Sequence, residues 1–209
     1  MRILLADDHA IMRNGLKRIL AEAFNKVDFG EAEECQHALE AALAQSWDLV
    51  ILDISMPGRG GLDVLKVLHA QHPKTPVLVL RMHAERHFAV RAFRLGASGY
   101  LTKASVGPEL LKAVEHILSG GKYVSATLAE QWASELGEAG PGAPHERLSD
   151  REFEILQIMA SGKTVKEIAD ELSLSGNTVS TYRTRILKKM KMRTNAELTH
   201  YAISNKLVE

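Results

Sequence analysis

Along its first 120 residues the chain alternates short apolar runs with stretches of helical periodicity. Arg2-Ile3-Leu4-Leu5-Ala6 predicts a short buried strand that ends at Asp7-Asp8. Ile11, Gly15, Leu16, Ile19, Leu20 and Ala23 then recur at helical spacing. A strand of weaker pattern over 27–33 precedes a helix rich in Ala and Leu over 35–45. Leu49-Val50-Ile51-Leu52 is an uninterrupted apolar run, the kind a strand buried on both faces requires, and it ends in Asp53. Beyond it, Pro57, Gly58, Gly60 and Gly61 forbid regular structure. Leu62, Leu65, Val67 and Leu68 mark a helix stopping at His72-Pro73, and residues 76–80 a fourth strand. A helix carrying Phe88, Val90, Ala92, Phe93 and Leu95, a short strand over 99–102 and a helix over 108–118 complete the series. Strand and helix alternate five times, which predicts a five-stranded parallel sheet covered by helices on both faces.

Past residue 120 the pattern breaks up. Residues 137–144 (Gly-Glu-Ala-Gly-Pro-Gly-Ala-Pro) cannot continue a helix and form a linker, with room for a short helix over 123–136 before it. The remainder is helical. Ser149-Asp150-Arg151-Glu152 and Thr164-Val165-Lys166-Glu167 both fit the capping box, in which hydroxyl and carboxylate satisfy free N–H groups at a helix start. They predict helices over 150–161 and 165–172. A turn at Leu174-Ser175-Gly176 leads into helices over 177–190 and 194–205. Two short helices joined by a tight turn, the second of them basic, describe a helix-turn-helix. The expected division is a domain over 1–121, a linker over 122–145 and a four-helix domain over 146–209.

Composition changes this picture little. Apolar content of 45% and charged content of 25% allow each part a core of its own. No apolar run approaches the length of a membrane span, and the N-terminus enters a strand with no signal-peptide pattern. A single cysteine, Cys35, excludes an internal disulfide framework and suits the reducing cytoplasm, where it serves as a small apolar residue. Charge is more informative. The net charge is +0, yet residues 176–195 hold six bases and no acid. One local region is therefore strongly electropositive in a neutral chain.

Asp7, Asp8 and Asp53 all fall at carboxyl ends of predicted strands, where open α/β sheets bind their ligands. Parallel pairing makes those ends converge, and three carboxylates without a counter-ion would raise one another's pKa values. A hard divalent cation resolves the repulsion, and oxygen ligation with retained waters suits Mg²⁺. Lys103, at the end of the fifth strand, reaches the same rim. A metal and an ammonium together neutralise a phosphoryl group in transfer, and a carboxylate nucleophile then becomes an acyl phosphate. Asp53 is thus the expected phosphoryl acceptor. The structural alternative makes such acids helix N-caps, Asp8 before His9 being the obvious case. His83 and His87, four apart on a helix, have the spacing of a two-point metal clamp but no third convergent ligand, and a solvated helix face accounts for them.

Along residues 177–190, Val179, Ile186 and Met190 form an apolar stripe flanked by Arg183 and Leu187, suited to packing on Phe153, Ile168 and Leu172. Asn177, Thr181, Thr184 and Lys188 lie opposite, with Ser180 and Arg185 at the edges. Amide, hydroxyl and cationic groups on a helix of major-groove size fit base edges and phosphates of double-stranded DNA. The last helix offers an edge of Thr199, Ala202 and Asn205 to a second copy, which would read half-sites related by two-fold symmetry.

The ordered motifs Leu5-Ala6-Asp7-Asp8-His9, Leu52-Asp53-Ile54-Ser55-Met56-Pro57 and Gly96-Ala97-Ser98-Gly99-Tyr100-Leu101-Thr102-Lys103, followed by these helices, resemble a two-component response regulator of the NarL/FixJ family. The resemblance implies a CheY-like (flavodoxin-like) α/β receiver and an all-α LuxR-type helix-turn-helix domain. It implies that a sensor histidine kinase phosphorylates Asp53, that Asp8 binds Mg²⁺ directly and Asp7 through water, that the Ser55 backbone carbonyl adds a ligand, and that Lys103 contacts the phosphoryl group. Promoter DNA and a homodimer on that DNA are the implied partners.

One position departs from the family. Where such receivers carry Ser or Thr at the end of the fourth strand, this chain has Arg81. In the family that hydroxyl bonds the phosphoryl oxygen and couples to the aromatic at Tyr100. A bond to a charged group contributes roughly 1.5–3 kcal/mol, and inverting a two-state population takes about 5.5 kcal/mol. Arg81 pointing to solvent would leave a poorly coupled receiver. Paired with Asp53 it would mimic the neutralised state; a bidentate grip on the phosphoryl group is the third option. Two further functions are compatible with parts of the chain. A Mg²⁺-dependent aspartyl-phosphate phosphatase would leave the basic helix unexplained. A regulator switched by a protein partner, independent of phosphorylation, is kept open by Arg81.

Overall fold

The computed structural model describes residues 1–56, 60–82, 86–125, 128–129, 143–172, 174–205 and 207–208. The chain divides into two compact units, Met1–Glu138 and Ala139–Glu209.

The first unit is a parallel sheet with helical crossovers. Its elements run β1 (Arg2–Ala6), α1 (Ala10–Ala23), β2 (Asp28–Ala32), α2 (Cys35–Ala44), β3 (Leu49–Asp53), α3 (Gly61–Gln71), β4 (Val77–Arg81), α4 (Arg86–Arg94), β5 (Gly99–Thr102), α5 (Val106–Leu118) and β6 (Tyr123–Val124). The strand order is β2-β1-β3-β4-β5-β6, every pairing parallel. The period of two along each strand sends Ile3, Leu5, Leu49, Ile51, Leu78, Leu80 and Leu101 to one face, where Leu16 and Leu20 of α1 and Leu110, Val114 and Ile117 of α5 close the core. Leu4, Val50, Leu52, Val79 and Tyr100, equally buried, face the other way.

Two features depart from the sequence expectation. Five strands were expected, and the sheet has six, because Tyr123–Val124 pairs with Gly99 and Tyr100. Two residues show no alternation, so β6 carries no signal of its own. It covers the otherwise bare edge of β5, and the Tyr123 hydroxyl donates to Glu109 at 3.0 Å. The ordered sheet therefore extends past the expected limit at residue 121, and the helix expected from residue 123 does not start there. Residues 130–136 of that helix lie outside the described residues, as does the linker core over 137–142. Ile11, counted with the apolar face of α1, is 90% exposed.

The second unit holds α6 (Asp150–Ala160), α7 (Val165–Glu171), α8 (Gly176–Met190) and α9 (Asn195–Ser204), after a 3₁₀ turn at Pro144–Arg147. Both capping boxes are formed: Ser149 and Thr164 accept from the backbone N–H of Glu152 and Glu167, and each glutamate reaches back to its cap residue's N–H. Phe153, Ile155 and Leu156 of α6, Ile168 of α7, Val179 and Ile186 of α8, and Leu198 and Ala202 of α9 are buried together at the centre. Ala202 is thus a core residue, so the edge offered to a second copy loses its middle member. The apolar stripe turns α9 inward at that position.

Candidate phosphoryl pocket and nucleic-acid interface

Strand register builds the acidic pocket. Ala6 pairs with Leu52, so Asp7, the next residue after β1, stands beside Asp53, the last of β3. Both strand ends lie in the middle of the sheet, which is why Asp7 and Asp53 are buried, Asp53 to 0% exposure. The turn after β5 supplies the cation. Thr102 accepts from the Ser105 N–H at 3.2 Å, and this cap swings Lys103 into the pocket. Its Nζ stands 2.7 Å from Asp53 Oδ2 and 2.8 Å from Asp7 Oδ2. The Ser55 N–H donates to Asp53 Oδ1 at 2.7 Å and so fixes the loop that carries the Ser55 carbonyl.

Electrostatics follow from burial. Loss of water raises the Asp53 pKa; Lys103 and the Ser55 N–H offset this in part, and the Asp7 charge adds to the rise. Burial works to lower the Lys103 pKa, but the Asp53 and Asp7 carboxylates outweigh it and hold the ammonium above its ordinary value. One ammonium serves two buried carboxylates.

Asp8 completes the acid triad from a more exposed position, and it caps nothing. The N-cap of α1 is His9, without a side-chain cap bond, while Asp7 Oδ1 accepts from the His9 N–H at 2.8 Å. The N-cap alternative for Asp8 therefore falls. Potential ligand atoms of Asp7, Asp8, His9 and Asp53 all lie within 4.8 Å of one another, a cluster able to hold a divalent cation. His9 was not anticipated, although its place directly after two strand-end acids was a usable signal. Nor was Arg13, a buried arginine on α1. It donates to the Asp7 backbone carbonyl at 2.6 Å and pairs with Glu31 and Glu33, tying the Asp7 loop to the end of β2. Cys35 is buried in the core, as a small apolar residue would be, and its thiol meets the Met56 carbonyl at 3.8 Å.

Arg81 is the last residue of β4, half-buried, with its guanidinium carbon 3.2 Å from the centroid of the Phe88 ring of α4. This cation–π stack was not among the three dispositions expected. Tyr100 is buried in β5, where it pairs with Val79, two residues before Arg81. His83 and the side chain of His87 lie outside the described residues.

In the second unit, Val179, Ile186 and Met190 of α8 are buried as expected, while Asn177, Ser180, Thr181, Thr184, Arg185 and Lys188 are all exposed. The Thr181 and Thr184 hydroxyls donate back to the Asn177 and Ser180 carbonyls, leaving their lone pairs outward. The six bases are not all available, however. Lys189 pairs with the buried Glu152 at 2.6 Å, and Arg183 donates to Asn195 at 2.6 Å, so both brace the fold.

Comparison with known proteins accounts for both units. Residues 3–115 match the response regulator receiver domain, and residues 146–202 match the bacterial regulatory proteins of the luxR family. The chain is a two-component response regulator of the NarL/FixJ family. The response regulator UvrY of Escherichia coli K12 is 33% identical over 208 residues, 99% of this chain and 95% of UvrY. The response regulator GacA of Pseudomonas protegens is 33% identical over 209 residues, 100% of this chain and 98% of GacA. A solved structure of RcsB from Salmonella enterica serovar Typhimurium matches with 26% identity and a TM-score of 0.64, covering 98% of this chain and 99% of that one. As a family member, this response regulator carries a DNA-binding LuxR-type domain and is a transcription regulator rather than a conventional enzyme. Among the described residues, no helix is long and apolar enough to cross a membrane.

Proposed function

We propose that this response regulator is a cytoplasmic transcription regulator phosphorylated on Asp53 by a sensor histidine kinase, and that the added charge alters dimerisation and promoter binding through α8. The observation that carries the proposal is the buried Asp53 carboxylate, held at 2.7 Å by Lys103 beside Asp7. A carboxylate oxygen attacks phosphorus, the bond from phosphorus to the histidine nitrogen breaks with its electron pair going to that nitrogen, and the imidazole, already protonated on its other nitrogen, leaves as the neutral ring. Lys103 stays against the transferred group and balances its charge. The Asp7, Asp8 and Asp53 carboxylates, brought within 4.8 Å of one another, fit Mg²⁺, with Asp8 and Asp53 as direct ligands, Asp7 through water and the Ser55 carbonyl completing the set. Bound there, the ion would neutralise phosphoryl oxygens during transfer. On α8, Asn177, Ser180, Thr181, Thr184, Arg185 and Lys188 are the proposed DNA contacts, two copies binding as a dimer. The RcsB structure, described as bound to promoter rprA in the presence of phosphomimetic BeF3-, supports the assignment. The domains are drawn as 1–124, the expected limit at 121 extended to include β6, and 146–209, across a linker over 125–145.

DNA binding and oligomer size, measured with and without beryllofluoride plus Mg²⁺, test this directly. Both should rise on addition and stay flat in Asp53→Asn. A second function is favoured by the Arg81–Phe88 stack, which occupies the position where a hydroxyl would sense phosphate. In that case a protein partner on the receiver does the switching. Labelling of Asp53 from acetyl phosphate without any change in DNA affinity would select it.

A further inference from the structure

Arg13 is a buried cation on α1 that touches the acidic pocket only through its backbone. Its Nη1 donates to the Asp7 carbonyl at 2.6 Å, its Nε donates to Glu31 at 3.1 Å, and its Nη2 pairs with Glu33. Glu31 is held in turn by Lys17 at 2.7 Å. The planar fork is thus fixed to the end of β2 on one side and grips the end of β1 on the other. The Asp7 N–H donates to the Ala32 carbonyl at 3.0 Å, so the peptide groups on both sides of the Asp7 Cα are anchored. Those anchors aim two carboxylates. Asp7 is enclosed, whereas Asp8 is exposed, and the peptide that precedes it directs its side chain more than packing does. That peptide contains the carbonyl held by Arg13.

We infer that Arg13 is a positioning residue for the cation site: by clamping the Asp7–Asp8 peptide to β2, it holds both carboxylates in the orientation a divalent cation needs. The inference rests on the Mg²⁺ site proposed beside Asp53 and adds what sets its affinity. Groups that brace the ligands of a metal orient them, and their loss weakens binding by about tenfold to a hundredfold. The sign of the effect separates this role from simple electrostatics. Arg13 is itself a cation and through space opposes a second cation nearby, so deleting its charge alone would strengthen Mg²⁺ binding. Deleting a clamp weakens it.

Mg²⁺ binding to the full chain, measured by calorimetry in wild type, Arg13→Met and Arg13→Lys, decides between the two. Arg13→Met should weaken binding on the order of tenfold or more. Arg13→Lys keeps the charge but offers a point donor in place of the fork, and its loss should fall between. The Mg²⁺ concentration that half-saturates labelling of Asp53 from acetyl phosphate should rise by the same factors, more than the rate at saturating Mg²⁺ falls. Unchanged or raised Mg²⁺ affinity in Arg13→Met overturns the inference, even where the variant unfolds at lower denaturant concentration. If Arg13→Met does not fold, Arg13→Lys carries the decision, and wild-type affinity there overturns it. A wild type that binds Mg²⁺ and labels on Asp53, with variants of equal affinity, loses only the Arg13 assignment. A wild type that neither binds Mg²⁺ nor labels loses the Asp53 site with it.

Discussion

The two units handle charge in opposite ways. In the first, Asp7, Asp53 and Lys103 are buried together at the centre of a sheet, and each charge has its partner within 2.8 Å. In the second, the bases of α8 that face outward do so from an exposed surface, backed by a core that owes nothing to them. Buried charges interact strongly because little solvent screens them, so a change of one charge is felt by all the others. Exposed charges act nearly independently, each adding a small, salt-dependent increment. A receiver needs the first property to register one phosphoryl group. A DNA-binding surface needs the second to add up many contacts.

The sharpest way to break this contrast is Lys103→Met. Removing one partner from a buried ion cluster leaves Asp7 and Asp53 facing each other, and such a loss costs about 3–5 kcal/mol. At neutral pH the full chain should unfold at lower denaturant concentration by that amount. Part of the loss should return as the pH is lowered, because burial already pushes the Asp53 carboxyl up and a proton taken up there relieves the repulsion. Mg²⁺ should restore stability in the variant more than in the wild type. A variant as stable as wild type, indifferent to Mg²⁺, would show that the cluster is less tightly coupled than its 2.7 and 2.8 Å distances imply.

Arg81→Ser asks whether the coupling leaves the pocket. The substitution removes the stack on Phe88 and restores a hydroxyl at the end of β4. A new bond to a charged phosphoryl oxygen contributes roughly 1.5–3 kcal/mol, about tenfold to a hundredfold in the ratio of activated to resting DNA affinity. The gain produced by beryllofluoride should rise by a factor in this range. An unchanged gain would mean that Arg81 already transmits the signal, or that phosphate never does.

These effects also explain what was legible in the sequence. The buried strands were legible because a strand covered on both faces must be apolar throughout, and the acids stood out because they ended such runs. The capping boxes were legible because their chemistry is local. Features that depend on distant partners were not. Tyr123–Val124 becomes a strand only because β5 has a free edge. Ile11 fits the spacing of α1 yet falls off the covered face, and Ala202 looked like surface until α9 packed on α6. His9 and Arg13 carry no pattern of their own at the start of α1. Their roles appear only when register brings Asp53, Lys103, Glu31 and Glu33 around them. The Arg81 departure was visible as a substitution, while its stacking on Phe88 required the spatial approach of α4 to β4.

Among the described residues, Glu152 places a buried charge in the second unit. Burial pushes its pKa up, but Lys189, the Ser149 N–H and the Ser149 hydroxyl outweigh burial and hold it below the usual 4.5. A folded-state pKa below the unfolded value means stability that is fully present above about pH 4.5 and is lost as pH falls through the lowered value. Glu152→Gln keeps the capping geometry and deletes the titration. At pH 7 it should cost about 1–2 kcal/mol, and its stability should fall less steeply than that of the wild type as acid is added below pH 4.5. Parallel stability curves for the two chains would remove Glu152 from the acid response.

Lys188→Ala should have the smallest effect, and its form matters more than its size. Lys188 is exposed on α8, opposite the buried stripe of Val179, Ile186 and Met190. If it neutralises one phosphate, its loss should weaken binding to every DNA sequence by a similar factor and reduce the slope of log affinity against log salt by about 1. Lys189→Ala, one residue away, should instead leave that slope unchanged and lower stability, because its ammonium is already committed to Glu152 at 2.6 Å. Two adjacent lysines on one helix would then separate cleanly, one into DNA affinity and the other into folding. If both variants changed the salt slope alike, the distinction between inward and outward charge on α8 would fail. With it would go the argument that this surface works by independent increments.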